Sequence, residues 1–155
     1  MFCIMRFIIP TLLALASSAT AAGIAVILNN SPKPIYVWSV GSSVGARNDI
    51  KAGGIYWEEM RRDEKTGGIA IKVTDSADGL YSGAPQQVFA YNLDNDTVWY
   101  DLSTVFGDPF AGYRLQVTGD NGGSILWPKG THPGGSQLKS APSEGNIFFS
   151  IDPAV

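Results

Sequence analysis

Residues 87–102 read QVFAYNLDNDTVWYDL, and this stretch decides the fold class of the chain. Two runs rich in aromatic and β-branched residues, Gln87–Leu93 and Thr97–Leu102, flank an Asp-Asn-Asp sequence that favours a tight turn. The arrangement predicts a β-hairpin. Because successive side chains of a strand point to opposite faces, one ring of the Trp99-Tyr100 pair is expected in the core and the other outside.

The rest of the chain repeats this pattern of short β-rich runs separated by Gly, Pro, Asn and Asp. The further predicted strands are Gly23–Leu28, Pro34–Val40, Ile55–Arg61, Gly68–Thr74, Tyr113–Thr118, Ser124–Trp127 and Ile147–Ile151. No stretch keeps a 3.6-residue apolar period over three helical turns, so the fold class is all-β, most simply an antiparallel β-sandwich. The longest predicted loops are 41–54 and 128–145, and binding residues tend to lie in loops.

The N-terminal segment has the layout of a secretory signal peptide, predicted at residues 1–21 with cleavage after Ala21 or Ala22. Its apolar run, Phe7–Ala16, is shorter than the roughly 20 residues that cross a bilayer. We therefore expect a secreted protein, extracellular or associated with the cell wall, without membrane insertion after cleavage. Residues 22–155 are expected to form a single domain.

Cysteine content and charge exclude several classes of protein. Cys3, the only cysteine, lies inside the predicted signal, so the mature chain is expected to have no internal disulfide. About 133 residues remain after cleavage, and 45% of the full sequence is hydrophobic, which suffices for a core without covalent cross-links. The net charge of −3 gives no electrostatic reason to bind nucleic acid or an anionic membrane.

Two features could suggest hydrolytic chemistry, but their surroundings do not fit it. Residues 41–45 (GSSVG) match the G-x-S-x-G pattern of a nucleophile elbow, which needs a following helix, and the sequence ARNDIKAGG does not predict one. His132, the single histidine, lies in a Gly- and Pro-rich loop. With one histidine and no cysteine after cleavage, no metal site is expected, and we expect no catalytic residues of this type and no cofactor.

The acidic residues are the stronger candidates for function. Asp94, Asp96, Asp101 and Asp108 fall within fifteen residues, together with several aromatic residues. Two carboxylates at a suitable separation can hydrolyse a glycosidic bond, and an acidic cleft can also bind sugar hydroxyls. Asp94 and Asp96 suit the tip of the hairpin, and Asp108 before proline suits a turn. The candidate ligand-binding residues are Asp101, Phe106, Asp108 and Tyr113.

Two N-x-S/T sequons follow the predicted signal, at Asn29 and Asn95. Asn95 lies at the predicted hairpin tip, where a glycan would be exposed. Asn29 is followed closely by Pro32, which makes it the weaker candidate. Both residues are candidate glycosylation sites.

Several blocks of the sequence together resemble one protein family. They include residues 34–42 (PIYVWSVGS), 78–86 (DGLYSGAPQ), 99–112 (WYDLSTVFGDPFAG) and 133–136 (PGGS), and the third block is the most specific. This set is similar to the Blastomyces yeast-phase-specific protein family, the small antigenic thaumatin-like proteins of filamentous fungi. The likeness extends over nearly all of the predicted mature chain.

The resemblance implies a secreted fungal protein with a reduced thaumatin-like β-sandwich. It also implies a role for Asp101, because residues 100–103 (YDLS) look like the segment that precedes the acidic cleft of larger thaumatin-like proteins. The sequence departs from the pattern in two ways. Thaumatin-like proteins are normally rich in disulfides, and the arginine and several carboxylates of the full acidic cleft are not recognisable here.

Three functional hypotheses follow. The leading one is a secreted, non-enzymatic cell-surface or extracellular-matrix protein that binds cell-wall polysaccharide or another surface partner. The first alternative is a weak β-1,3-glucan hydrolase, using two carboxylates from Asp101, Asp108, Glu58 and Glu59. The second is a secreted antigen or effector that binds an extracellular protein of a host or a neighbour.

The cysteine-free mature chain gives a first testable prediction. If core packing alone stabilises the fold, the melting temperature of the mature protein is unchanged by reductant. Thermal unfolding followed by circular dichroism, with and without dithiothreitol, measures this directly. A large decrease with reductant would mean that Cys3 is retained and forms an intermolecular bridge.

Overall fold

The computed structural model describes residues 21–154, which form two β-sheets packed face to face. All of the predicted signal peptide except Ala21 lies outside the described residues. The elements are β1 Ile24–Asn29, β2 Ile35–Val40, β3 Asn48–Ile50, β4 Ile55–Glu59, β5 Ile69–Thr74, α1 Gly79–Ser82, β6 Gln86–Asp94, β7 Thr97–Val105, β8 Arg114–Gly119, β9 Ser124–Trp127, β10 Lys139–Pro142 and β11 Ile147–Asp152.

One sheet has five strands in the order β4-β1-β11-β8-β9, and the other has six in the order β10-β7-β6-β5-β2-β3. Within the described part of the chain, β1 and β11 pair in parallel, and the other neighbouring strands pair antiparallel. The predicted all-β sandwich is therefore confirmed, with one parallel pair inside the five-stranded sheet.

The nine predicted strands are all present, with ends that shift by at most three residues. The short helix α1 and the edge strands β3 and β10 were not predicted. Both edge strands lie inside the two predicted long loops, and both are short. Their sequences, NDI and KSAP, lack the alternating apolar residues of a half-buried strand. They pair mainly through backbone hydrogen bonds, which leave no signature in the sequence.

The core lies between the sheets, and the β6–β7 hairpin is its largest contributor. Phe89 of β6 packs against Phe149 of β11 in the opposite sheet, with ring centroids 5.7 Å apart. Tyr91 and Leu102 of the hairpin are also buried in this core. On β7, Trp99 is 42% exposed and Tyr100 is 1% exposed, which confirms the expected division of this pair between outside and core.

Two tyrosines of the hairpin connect the sheets through their hydroxyl groups. Tyr91 and Tyr100 lie directly opposite each other in the β6–β7 register. The Tyr91 hydroxyl donates to Glu58 Oε1 of β4 at 2.6 Å, and the Tyr100 hydroxyl donates to the carbonyl oxygen of Gly123. The second contact requires a glycine nearby, since a Cβ atom at Gly119 would lie 2.6 Å from the Tyr100 hydroxyl oxygen. Both buried hydroxyls are thus satisfied by the five-stranded sheet.

Asn29, a predicted glycosylation candidate, makes a network of structural contacts. Its side chain is buried at the end of β1, and its Nδ2 donates to the carbonyl oxygens of Lys33, Ile50 and Lys51 at 2.9, 3.1 and 3.0 Å. Its Oδ1 accepts from the backbone N–H and the hydroxyl of Ser31. A glycan on Nδ2 would displace these contacts, so glycosylation at Asn29 stays the weaker of the two predictions.

Asn29→Ala tests this buried contact, and Asn30→Ala is its matched control. The first substitution removes a donor from three backbone carbonyls, of which those of Lys33 and Lys51 keep another in the Ser31 hydroxyl and the Gly54 N–H. We expect it to lower the free energy of unfolding by about 2 kcal/mol. Asn30 is exposed, and its side chain donates only to Asp152 Oδ1 at 2.7 Å, so its loss is expected to cost less than about 1 kcal/mol. Urea unfolding of both variants measures the difference. Equal losses would contradict the role given to Asn29.

Candidate functional site

A groove lies on the outer face of the six-stranded sheet, above a row of four residues in register. Val40, Ala70, Ala90 and Asp101 are direct partners on β2, β5, β6 and β7. The groove has a volume of about 580 Å³, within the usual range for small-ligand sites. The two alanines give it a low floor, because their side chains end at Cβ. The row therefore forms a shallow surface with a carboxylate at one end.

The sides of the groove are formed by different parts of the chain. Trp99 of β7 and Leu138, one residue before β10, line it on one side, and both are exposed. Gly41, after β2, and Thr66, between β4 and β5, line it on the other. Trp99 and Asp101 are two residues apart on one strand, so they point to the same face of the sheet. A ligand in the groove would meet an indole ring beside a carboxylate.

The Asp101 carboxylate is half-buried and has no partner within the described part of the chain. No donor from residues 21–154 lies within hydrogen-bond distance of it, and no Lys, Arg or His lines the groove. Burial raises the pKa of Asp101 above its usual range, because the charged form loses hydration. This carboxylate thus retains its capacity to accept hydrogen bonds from a ligand.

Asp63 holds one side of the groove in place. Its Oδ2 accepts from the backbone N–H and the hydroxyl of Ser42, at 2.9 and 2.8 Å, and its Oδ1 accepts from the N–H groups of Lys65 and Thr66. These hydrogen bonds keep the pKa of Asp63 well below its usual range. The contacts tie the Gly41-Ser42 loop to the segment that carries Thr66. Asp63 was not predicted as a site residue. An aspartate followed by turn residues indicates its contacts with Lys65 and Thr66, but the sequence has no signal for its contacts with Ser42.

The structure does not bring Asp101 together with the other three candidate ligand-binding residues. Phe106 follows β7 and is exposed, with a positive φ of 63°. Asp108 accepts a hydrogen bond from the Thr104 hydroxyl at 3.2 Å. Tyr113 packs edge-to-face on Phe110 and lines a separate small cavity of about 40 Å³. Of the four, only Asp101 lines the large groove.

The carboxylates that the hydrolase alternative needs lie on different surfaces. Glu58 points between the sheets, where it accepts from the hydroxyls of Tyr56 and Tyr91 and pairs with Arg61 at 3.0 Å. Burial is the main reason that the pKa of both tyrosines lies above its usual range, and their hydrogen bonds to Glu58 raise it further. Glu59 is the next residue on β4, so it points to the outer face of the five-stranded sheet. In the described structure, Asp101 is the carboxylate that lines the groove, without a second one beside it.

The remaining sequence candidates lie apart from the groove. Asn95 is exposed at the tip of the β6–β7 hairpin, where glycosylation remains a prediction. His132 accepts a hydrogen bond from the Gly134 N–H through Nδ1, and its ring packs 5.1 Å from that of Trp127.

Residues 21–154 contain no group of three or more potential metal ligands that could hold an ion. No helix in the described range is long and apolar enough to cross a membrane.

Comparison with known proteins identifies relatives over most of the chain. A family model described as "Blastomyces yeast-phase-specific protein" matches residues 12–152. An "Antigenic thaumatin-like protein" of Arthroderma benhamiae is 31% identical over 143 residues, which cover 90% of this chain and 64% of the relative. A "Secreted thaumatin-like protein" of Emericella nidulans, calA, is 28% identical over 103 residues, which cover 64% of this chain and 58% of the relative. The chain thus spans less than two thirds of the length of these curated relatives.

Two solved structures share the fold. The protein elicitor MoHrip2 from Magnaporthe oryzae has a TM-score of 0.69 and 23% sequence identity, covering 84% of this chain and 98% of the elicitor. The thaumatin-like xylanase inhibitor TLXI has a TM-score of 0.54 and 10% identity, covering 83% of this chain and 99% of the inhibitor. At these identities the likeness shows a thaumatin-like sandwich, and it assigns no ligand.

The raised pKa of Asp101 predicts that Asp101→Asn stabilises the fold at neutral pH. The folded-state pKa lies above the unfolded value, so the native state holds this proton more tightly, and the group contributes an unfavourable free energy once it ionises. We expect the variant to have a larger free energy of unfolding at pH 7. The difference should shrink as the pH falls and disappear below about pH 3, where the carboxyl is protonated in both states. Urea unfolding across this pH range measures it, and a variant less stable at pH 7 would indicate an unseen structural partner of Asp101.

Proposed function

The chain belongs to the Blastomyces yeast-phase-specific protein family, and from this premise we propose a secreted, non-enzymatic protein that binds cell-wall glycan. One observation carries the proposal: the groove on the six-stranded sheet places the unpartnered carboxylate of Asp101 beside the exposed indole of Trp99. Protein sites that bind small molecules combine apolar surface with a few such polar groups.

Secretion is supported by two independent features. The relatives in Arthroderma benhamiae and Emericella nidulans carry the descriptions antigenic and secreted. Residues 1–21 of this chain have the pattern of a signal peptide. We therefore assign the protein to the cell surface or the surrounding matrix, where its partner is a wall polysaccharide. Asn95 is the proposed glycosylation site of the mature chain.

The groove suits the two chemically different surfaces of a sugar. A pyranose ring has an apolar face of C–H groups, which would lie over Ala70 and Ala90 and against the Trp99 ring. Hydroxyl groups at the ring edge would donate to Asp101, and the hydrogen bonds would be charge-assisted. Asn92, exposed and directly opposite Trp99 on β6, supplies a further donor and acceptor. The shallow floor would accept a polysaccharide that continues beyond the groove at both ends.

The geometry favours binding over hydrolysis of that glycan. Glycosidases use two carboxyl groups facing each other across the scissile bond, roughly 5 to 10 Å apart. Within the described residues the groove offers Asp101 alone, and Glu58 is engaged by Tyr56, Tyr91 and Arg61 inside the sandwich. We therefore propose that the bound polysaccharide is retained intact.

A protein partner is the second candidate, and the five-stranded sheet supports it. The outer face of this sheet carries Ile55, Trp57, Leu28 and Phe148, and Trp57 is 61% exposed. Exposed apolar patches of this kind mark protein interfaces. The two solved structures that share the fold are an elicitor and a xylanase inhibitor, which agrees with such a role. Trp57 and Trp99 lie on different sheets, so substituting each of them in turn distinguishes a glycan partner from a protein partner.

Co-sedimentation with insoluble β-1,3-glucan and chitin tests glycan binding, with released sugar measured in the supernatant. The native protein is expected to leave the supernatant without releasing sugar. Trp99→Ala is expected to weaken binding roughly tenfold, as is usual when an aromatic anchor is truncated. Trp57→Ala is the matched control, an exposed tryptophan on the other sheet, and should bind as the native protein does.

The other outcomes are equally informative. Released sugar would support the hydrolase alternative and overturn the non-enzymatic proposal. A loss of binding with Trp57→Ala but not with Trp99→Ala would move the site to the five-stranded sheet. Absence of binding to β-1,3-glucan, to chitin and to deacetylated chitin would overturn the glycan proposal and direct attention to the apolar face around Trp57.

A further inference from the structure

The groove carries an unbalanced negative charge in an apolar setting. Its lining consists of uncharged residues except for Asp101, and Ala70, Ala90, Trp99 and Leu138 supply apolar surface around that carboxylate. No cation from residues 21–154 lies within ion-pair distance of it. A half-buried carboxylate is stabilised more by a positive charge than by a neutral donor, because water no longer screens the interaction fully.

A second feature of the groove also favours a cation. Trp99 lies on the same face of β7 as Asp101 and leaves part of its indole exposed to the groove. The face of an indole ring attracts a cation through its quadrupole, and tryptophan does so better than tyrosine or phenylalanine. An ammonium group between Trp99 and Asp101 would satisfy both residues at once. A neutral hydroxyl would satisfy only the carboxylate.

We propose that this groove selects a glycan that carries free amino groups, such as a deacetylated β-1,4-linked glucosamine polymer, over its N-acetylated and neutral counterparts. The inference rests on the proposed glycan-binding function and gives the chemical class of the glycan. The ring faces pack on Ala70, Ala90 and Trp99, and one ammonium group binds Asp101. Acetylation of the amine removes the charge and adds an acetyl group at the point of contact with the carboxylate.

A lysine side chain of a partner protein has the same charge, but the shape of the groove fits it less well. A lysine chain is matched by a narrow hole that surrounds its methylene groups. This groove is shallow along the Ala70–Ala90 row, which suits a ring lying flat across β5 and β6. The row also continues into Val40 on β2, so apolar surface extends beyond one sugar unit.

Titration calorimetry with three matched hexasaccharides tests the inference: β-1,4-linked N-acetylglucosamine, the same chain fully deacetylated, and β-1,3-linked glucose. The buffer is at about pH 6, below the pKa of an amine and about two units above the ordinary pKa of an aspartate, a margin that allows for the raised pKa of Asp101. We expect the deacetylated hexamer to bind roughly ten- to a hundredfold more tightly than the acetylated one. Asp101→Asn should abolish this preference while reducing the affinity for the acetylated hexamer only about twofold.

Glu59→Gln is the matched control, since it removes one negative charge from an exposed position on β4, in the other sheet. It should leave all three affinities unchanged. An equal loss for Glu59→Gln and Asp101→Asn would mean that the acidic protein attracts the cationic hexamer nonspecifically, which overturns the inference. A blocked Gly-Lys-Gly peptide that binds as tightly as the deacetylated hexamer would overturn it as well, and would indicate a protein partner.

The failure of this inference can be told apart from the failure of the proposed function. Equal affinity for the three hexamers, reduced in each case by Trp99→Ala, would overturn amine selection and leave glycan binding in place. No measurable affinity for any hexamer would overturn both. A preference for the deacetylated hexamer that depends on both Asp101 and Trp99 is the result expected from the geometry of the groove.

Discussion

The fold depends on apolar contact between two sheets that no disulfide joins, since residues 21–154 contain no cysteine. The β6–β7 hairpin supplies the centre of that contact. Phe89 packs across the interface on Phe149, and Tyr91 and Tyr100 extend their hydroxyls to polar groups of the five-stranded sheet. Each hydroxyl contact is directional, so it fixes how one sheet lies on the other, while the burial of the rings provides most of the stabilising free energy.

The same hairpin also builds the candidate site, because its alternate residues face outward. Tyr91 and Tyr100 point into the core, and their neighbours Ala90, Trp99 and Asp101 point into the groove. A shift of one residue in the β6–β7 pairing would exchange the two sets and bury a carboxylate in place of a tyrosine. The packing that stabilises the sandwich therefore also determines which side chains a ligand meets.

The sequence predicted what depends on local pattern, and it missed what depends on distant chain segments. Alternation was sufficient to predict the hairpin and the opposite exposures of Trp99 and Tyr100. The strand β10 and the adjacent groove residue Leu138 have no such pattern, and their positions follow from backbone pairing to β7. Asn29 matched a sequon, yet its burial is set by the carbonyls of residues 33, 50 and 51. Asp108 is close to Asp101 in sequence, but the chain leaves the sheet after β7, so Asp108 does not line the groove with Asp101.

Two partly buried carboxylates of this protein differ in whether the fold compensates their loss of hydration. Glu58 receives hydrogen bonds from two tyrosine hydroxyls and from Arg61, and these contacts offset the cost of removing its charge from water. Asp101 loses hydration in a similar way, but residues 21–154 provide it with no compensating donor. An uncompensated charge lowers the stability of the fold, and proteins carry such costs mainly at sites where a ligand provides the missing interaction. The sandwich would be more stable with an uncharged residue at position 101, and the cost of retaining aspartate there is the physical reason to regard the groove as a binding site.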